Sequence, residues 1–181
     1  VLENEGTVEN CCNTGILTGG EYAEVSGVVT YNYEGIVQNC YNTGDLHGLD
    51  DACIGGVVGY NYEGMVQNCY NTGNLTGGAD VSIGGIVFEN EGNVQGCYNT
   101  GSLTGGDDAI IGGIALINED NSTLKGCYNT GNLTGGDCTE IGGIVWRNND
   151  STVQGCYNTG NLTGGIYAVI GGVVSSNSGT V

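Results

Sequence analysis

The stretch at residues 69–78, CYNTGNLTGG, determines the fold, because it occurs four times in the chain with almost no change. It returns as CYNTGSLTGG at 97–106 and as CYNTGNLTGG at 127–136 and 156–165. Catalysis needs a residue once, at one place, whereas a phrase repeated at constant spacing indicates a shape that repeats. The phrase is uncharged and rich in glycine, so it is typical of bends between short strands.

The cysteine before the fixed N-T-G marks six copies of the repeat, spaced by 29, 29, 28, 30 and 29 residues. An apolar residue precedes each cysteine by three positions, a leucine follows it by six, and an I-G-G-like segment closes the copy. The anchoring cysteines are Cys11, Cys40, Cys69, Cys97, Cys127 and Cys156. We predict a single repeat array over residues 1–181, as a segment of a longer chain or filament.

Short strands fit this pattern better than helices. Glycine falls in the middle of every apolar segment, and each glycine costs about 1 kcal/mol in a helix interior. Runs rich in Val, Ile, Tyr and Thr, punctuated by Gly and Asn, indicate strands of a few residues. A single copy cannot bury its apolar face alone, so the copies must stack. The sequence therefore predicts an all-β fold, a right-handed parallel β-solenoid (β-helix) of six coils with about 29 residues each; the hand follows from the crossover rule.

Stacking would place equivalent residues about 4.8 Å apart in columns along the axis. The anchoring cysteines are then expected to form a column of buried, reduced thiols, with disulfides between coils as the alternative. The residue before each cysteine is Asn or Gly, which predicts a left-handed corner. Side-chain amides are expected to pair along a second column. Its members are Asn42, Asn71, Asn99, Asn129 and Asn158.

The charge is strongly unbalanced, with 20 acidic residues against Lys125 and Arg147. A net charge of −18 argues against nucleic acid or an anionic membrane as a partner, and no apolar run is long enough for membrane insertion. An acid precedes the apolar position by three residues in five copies, which predicts a column of carboxylates on one edge. This column is either a solvated edge or a calcium site, and calcium is the only cofactor we consider. Its members are Glu5, Glu34, Glu63, Glu91 and Asp150.

Two further columns contain large side chains. A tyrosine follows the anchoring cysteine in five copies, and this ladder would either bind sugar or stiffen the sheet. Phe88, Leu116 and Trp146 share one variable position in successive copies. If these three side chains are exposed, they predict a surface for self-association.

The phrases also resemble a known family. G-G-V-V-G-Y-N at 55–61, followed by E-G-M-V-Q-N-C-Y-N-T-G at 63–73, is similar to the GLUG motif. That repeat occurs in bacterial and archaeal surface proteins, including adhesin-like ones, and in the repeat region of immunoglobulin-A metallopeptidases. The resemblance covers all six copies and implies an extracellular, cell-surface repeat region. It does not imply peptidase activity, since H-E-x-x-H is absent and His47 is the only histidine.

We expect the chain not to be an enzyme, because its two bases lie at unrelated positions of the repeat and form no site with the acids. The expected function is structural: a stiff stalk or shaft, or the subunit of a self-assembling surface filament. Its partners would be other copies of itself, end to end or laterally, or flanking repeats. The alternative is an adhesin that recognises a host glycan or protein through an exposed ladder.

Overall fold

The computed structural model describes residues 1–181 and contains strands but no helix. All strand pairs are parallel, and each joins one copy of the repeat to the next. Tyr70 pairs with Tyr98, and Leu75 pairs with Leu103. The predicted all-β solenoid of about six coils, roughly 29 residues apart, is confirmed. Its hand stays a prediction.

The strands form four sheets, which we name by their position or main residue. The long sheet contains Glu3–Asn4, Thr7–Glu9, Val29–Tyr33, Ile36–Gln38, Val58–Gln67, Val87–Gln95, Ala115–Asn118, Thr123–Lys125, Val145–Asn148, Thr152–Gln154 and Val174–Asn177. The tyrosine sheet contains Cys12–Asn13, Tyr41–Asn42, Tyr70–Asn71, Tyr98–Asn99, Tyr128–Asn129 and Tyr157–Asn158. The leucine sheet contains Leu17–Thr18, Leu46–His47, Leu75–Thr76, Leu103–Thr104, Leu133–Thr134 and Leu162–Thr163. The isoleucine sheet contains Glu24–Ser26, Cys53–Gly55, Ser82–Gly84, Ile110–Gly112, Glu140–Gly142 and Val169–Gly171.

The core lies inside the coil and consists of two apolar clusters. The larger cluster packs valines of the long sheet, such as Val66, and the isoleucines that directly precede its strands, such as Ile86, against the cysteine column. The smaller cluster packs the leucine sheet against the isoleucine sheet, as with Leu75 and Ile83. Full burial of one such side chain stabilises the fold by about 1.5–3 kcal/mol. Because the pattern recurs in every copy, each coil adds a similar increment.

The cysteine column lies in the core over the four inner coils, whereas Cys11 is exposed and Cys156 is half-buried. Cys40, Cys69, Cys97 and Cys127 are buried, and all nine cysteines of the chain are free thiols. The backbone N–H of Cys40 donates to Sγ of Cys69 at 3.4 Å, and the contact recurs along the column. Burial raises the pKa of the Cys40 thiol to about 11. These side chains therefore act as small packing groups in the core.

Two columns of asparagine run through the interior, one predicted and one not. In each, the amide Nδ2 donates to Oδ1 of the asparagine in the next coil at 2.6–2.8 Å. The other N–H closes the local turn; in Asn71, for example, it donates to the carbonyl of Gly73 at 2.8 Å. The predicted column, in the tyrosine sheet, is confirmed. The second runs through the long sheet and contains Asn4, Asn32, Asn61, Asn90, Asn118, Asn148 and Asn177.

Two left-handed corners repeat in each coil. The corner before the cysteine is confirmed, with φ near 54° at Asn39 and 62° at Gly96. The second lies in the variable loop before the isoleucine sheet, where Asp51, Asp80 and Asp108 have φ of 54–58°. Asp tolerates this region better than most residues, so the acidic loop has a backbone role as well as a charge.

The N-T-G glycine is required by the close approach of consecutive coils. A Cβ on Gly73 would lie 2.0 Å from the carbonyl oxygen of Gly44 in the preceding coil. That neighbour is backbone and belongs to a paired column, so it cannot move independently.

We predict that Gly73→Ala destabilises the array by about 1–3 kcal/mol or more, because the added methyl overlaps the backbone of the preceding coil. Urea unfolding followed by circular dichroism, with hydrogen exchange resolved along the chain, would measure the loss. Gly20→Ala is the matched control, since a Cβ at Gly20 meets nothing within 4 Å. Equal unfolding midpoints for the two variants would contradict the close packing of the coils.

We predict that Asn61→Asp is destabilising by roughly 3 kcal/mol at neutral pH, because a buried carboxylate keeps the acceptor for Asn32 but loses both donors. The lost bonds go to Asn90 Oδ1 at 2.8 Å and Gly64 O at 3.1 Å. A protonated carboxyl can donate again, so the defect should shrink as the pH falls. Urea unfolding across a pH series would check this, with the exposed Asn68→Asp as control; a pH-independent defect would contradict the amide column.

Candidate functional site

The predicted edge of carboxylates is not a single column. Tyr62 pairs with Glu91 and Met65 pairs with Asn93, so the third coil has one extra residue between these points and forms a bulge. Glu91 therefore lies beside a tyrosine, and counting back from the apolar position conceals the shift. The members that do occupy exposed left-handed corners are Glu34, Glu63 and Asp150, with φ of 54°, 53° and 45°.

The tyrosine ladder does not present ring faces to solvent. Neighbouring rings of the tyrosine sheet are nearly parallel, at 2–5°, with centroids 4.9–5.2 Å apart. Each inner ring therefore covers the faces of its neighbours and leaves mainly its edge to solvent. Because sugars stack on aromatic faces, this geometry favours stiffening of the sheet over sugar binding.

The predicted apolar stripe is mostly inside the protein. Phe88 is 8% exposed and Leu116 is 2% exposed, whereas Trp146 is half-buried. Phe88 packs edge-on against Tyr60 with ring centroids 5.2 Å apart. The exposure on which the self-association prediction depended is thus absent for two of the three residues, because they pack under neighbouring side chains.

The outer face of the long sheet departs from the repeat. The two outward positions on either side of the buried asparagine change residue type along the array, and none of these side chains is buried. The position before the asparagine holds Glu3, Tyr31, Tyr60, Glu89, Ile117 and Arg147. The position after it holds Glu5, Tyr33, Tyr62, Glu91, Glu119 and Asn149. A non-repeating face on a repeating scaffold is where we place the candidate functional site.

Four tyrosines form a block on this face in the second and third coils. Tyr31 stacks on Tyr60 at 5.3 Å, and Tyr33 stacks on Tyr62 at 5.4 Å. The rings also lie side by side across the strand, at 6.1 Å and 5.9 Å. The hydroxyls of Tyr31 and Tyr60 donate to the carboxylate of Glu24, which fixes one side of the block.

The block ends in a depression on the side of the first coil. Glu5, Tyr33 and Glu34 line this space of about 290 Å³. Tyr33 is 38% exposed, since the coil below it carries Glu5 in place of another tyrosine. An aromatic side chain and two carboxylates therefore meet around one opening.

A carboxylate cluster lies on the other side of the tyrosine block. One oxygen each of Glu89, Glu91 and Glu119 lies within 4.8 Å of the others. The only base nearby is Arg147, whose Nη2 lies 3.8 Å from Glu119 and whose Cζ lies 5.0 Å from the ring centre of Trp146. Such a cluster has the oxygen ligands that hard cations prefer, but it shares only Glu91 with the predicted calcium set. Calcium at the predicted edge stays a prediction.

The crowding of carboxylates shifts their protonation. Burial, followed by the hydrogen bond with Glu91 and the charge of Glu119, raises the pKa of Glu89 to about 7. Burial and nearby carboxylates likewise raise the pKa of Tyr62 to about 12. The face is thus more negative than its single arginine can neutralise, and Glu89 binds a proton in response.

This face was not predicted, although the residues that form it stand out in the sequence. Y-N-Y-E-G at 31–35 and 60–64 replaces E-N-E-G at 3–6 and 89–92. The two flanking letters of each phrase become neighbours only once the asparagine between them is known to be buried. The cluster at Glu89 requires, in addition, the bulge that brings Glu91 into line with Tyr62.

We predict that Glu89→Gln flattens the decline of stability between about pH 5 and pH 8. The pKa of Glu89 is raised from 4.5 to about 7, so the folded state binds its proton more tightly than the unfolded state. Its contribution to stability is full below the lower value and is lost as the pH rises through the higher one. Urea unfolding at several pH values would measure the slope. The exposed Asp108→Asn serves as control, and an unchanged slope in Glu89→Gln would contradict the assignment.

Comparison with known proteins places the chain in context. The structure has no helix that could span a membrane, and no curated protein matches the sequence. The family model described as the GLUG motif matches residues 50–76. This stretch contains one strand of each of the four sheets, from Cys53–Gly55 to Leu75–Thr76, and so supplies nearly one whole coil. Motif and fold together fit a repeat-containing surface protein. The chain is therefore a β-solenoid repeat region that contains the GLUG motif.

Proposed function

We propose that this chain is a non-enzymatic structural rod of an extracellular, cell-surface repeat protein. The observation that carries the proposal is the continuity of backbone pairing and of both asparagine columns through the coils. Each coil adds about 4.8 Å to a stack of this kind. Length is then set by the number of coils, while the cross-section stays constant, which is what a stalk or shaft requires.

The side-chain chemistry supports a role without catalysis. The anchoring thiols of the inner coils are buried in the core, and burial raises the pKa of Cys40 and of Cys97. Acids and bases meet at one place only, where Arg147 approaches Glu119, and that pair lies on an open sheet face. The excess of acids also supports partners other than nucleic acid or an anionic membrane surface.

Two settings suit a rod of this kind. Parallel stacking can continue with further repeats of the same chain or, end to end, with other copies. The first setting is a stalk, and the second is a subunit of a surface filament.

A second candidate function is binding, as in an adhesin. The observation in its favour is the outer face of the long sheet, where tyrosines and carboxylates replace the repeat. The tyrosine sheet is the weaker candidate because its ring faces are mutually covered. Rod and binding module are compatible, since one uses the interior and the other uses an outer face.

We predict that duplicating residues 40–68, which is one coil of 29 residues, lengthens the particle by about 4.8 Å and leaves its width unchanged. Small-angle scattering gives both dimensions. An insert of the same composition in scrambled order is the control, and we expect it to disrupt the stack. A particle that widens, or that tolerates both inserts equally, would refute the rod.

Sedimentation over a range of concentrations separates the two settings. Elongated particles that grow in steps of whole chains indicate the filament subunit. A monomer at all concentrations removes the filament and leaves the stalk.

A further inference from the structure

We propose that the outer face of the long sheet binds an extended polypeptide segment that carries lysine or arginine side chains. The face consists of Tyr31, Tyr33, Tyr60 and Tyr62, flanked by Glu5 on one side and Glu91 on the other. The proposal goes beyond the structural rod and does not depend on it, because it concerns outward side chains that take no part in stacking the core.

The fold does not require tyrosine at these positions. The same two outward positions hold glutamates in the first and fourth coils, Ile117 and Glu119 in the fifth, and Arg147 in the sixth. The scaffold therefore accepts apolar, acidic and basic side chains alike. Four rings grouped in two neighbouring coils are a local departure from the repeat, which needs an explanation outside the folding of the coil.

One cationic side chain of the protein itself already lies on this face. Arg147 projects from the same outward position, three coils beyond Tyr60. Its guanidinium lies 5.0 Å from the ring centre of Trp146 and 3.8 Å from the carboxylate of Glu119. A cation between an aromatic ring and a carboxylate gains from the ring quadrupole and from the charge together. The tyrosine block offers both components at its two ends, where Tyr33 lies beside Glu5 and Tyr62 lies beside Glu91 with no further tyrosine stacked on them and no cation of the chain beside them.

Two candidate cation-binding points, each containing carboxylates, lie on either side of the tyrosine block. The first is the depression lined by Tyr33, Glu5 and Glu34. The second is the carboxylate cluster that contains Glu91 and Glu89. The proton retained by Glu89, whose pKa is raised to about 7 by burial and neighbouring acids, marks the second point as short of positive charge.

The distance between the points defines the ligand. They are separated by three coil steps, or about 14 Å along the axis. An extended chain advances about 3.4 Å per residue, so that cationic side chains at positions i and i+4 reach both points. The residues between them would lie over the edges of the stacked tyrosine rings. This spacing distinguishes the proposed segment from a generally basic partner, which the net charge of −18 would also attract.

The test is the affinity of short labelled peptides for the whole chain, measured by fluorescence anisotropy at about 0.15 M salt to screen long-range attraction. The probe has lysines at positions 1 and 5 separated by serines. The comparison peptides have lysines at positions 1 and 3, or glutamates at 1 and 5. We expect the first peptide to bind roughly tenfold more tightly than the second, and the third not to bind.

Variants then locate the site. Tyr33→Ser should weaken binding of the probe roughly tenfold, and serine already occupies this face at Ser176, in the strand that pairs with the strand of Arg147. Glu5→Gln removes a charge from an exposed side chain without changing its size, so it tests the same point if Tyr33→Ser folds poorly. The exposed Asp108→Asn removes one charge elsewhere and should leave the affinity unchanged.

Several results would overturn the proposal. Equal affinity for the two lysine spacings, or an equal loss in Asp108→Asn, would reduce the effect to general charge attraction. Full displacement of the probe by millimolar calcium alone would assign the carboxylates to a metal. Binding of a neutral oligosaccharide to the face, with no binding of the lysine probe, would assign it to sugar. None of these outcomes bears on the rod, which is tested by particle length.

Discussion

Parallel stacking of each coil directly on the one before constrains every other feature of this molecule. The spacing of about 4.8 Å between coils is fixed by backbone hydrogen bonds, so a side chain in the interior meets its own equivalent above and below. Only residues that pack or bond favourably with themselves can fill such a column. Cysteine, valine, leucine and asparagine satisfy the condition here, each in its own way.

Asparagine is the informative case because its amide can donate and accept along the same line. In Asn71, one N–H reaches Asn99 at 2.8 Å, the oxygen accepts from Asn42, and the second N–H closes the turn at Gly73. No polar group in the middle of the column is left without a partner. Aspartate lacks the donors, and like charges would repel at this spacing. The amide columns therefore allow polar turns to lie inside an otherwise apolar rod.

The sequence repeat predicts the features that recur in every coil, whereas the features that differ between coils are visible only in the structure. Periodicity at Cys69, Leu75 and Ile83 was sufficient for the fold, the core and the predicted asparagine column, because stacking converts equal spacing into contact. The 28-residue step from Cys69 to Cys97 indicates a one-residue difference but does not locate the bulge after Tyr62, since the inserted residue shifts an outer position and leaves the buried ones in place. The second amide column was missed because its neighbours vary from coil to coil. The candidate site lies among those varying neighbours.

The difference between repeated interior positions and variable outward positions has a physical cause that bears on function. Interior columns couple each residue to its equivalents above and below, so a change in one coil disturbs its neighbours; a Cβ added to Gly73, for example, would lie 2.0 Å from the carbonyl oxygen of Gly44. Outward positions on the long sheet have no such coupling through the core, and glutamate, tyrosine, isoleucine and arginine all occupy one of them. The repeated residues therefore determine stability, whereas only the positions that do not repeat can determine a binding specificity. On this reasoning, a recognition surface in a solenoid of this kind belongs where the sequence stops repeating but the backbone register continues.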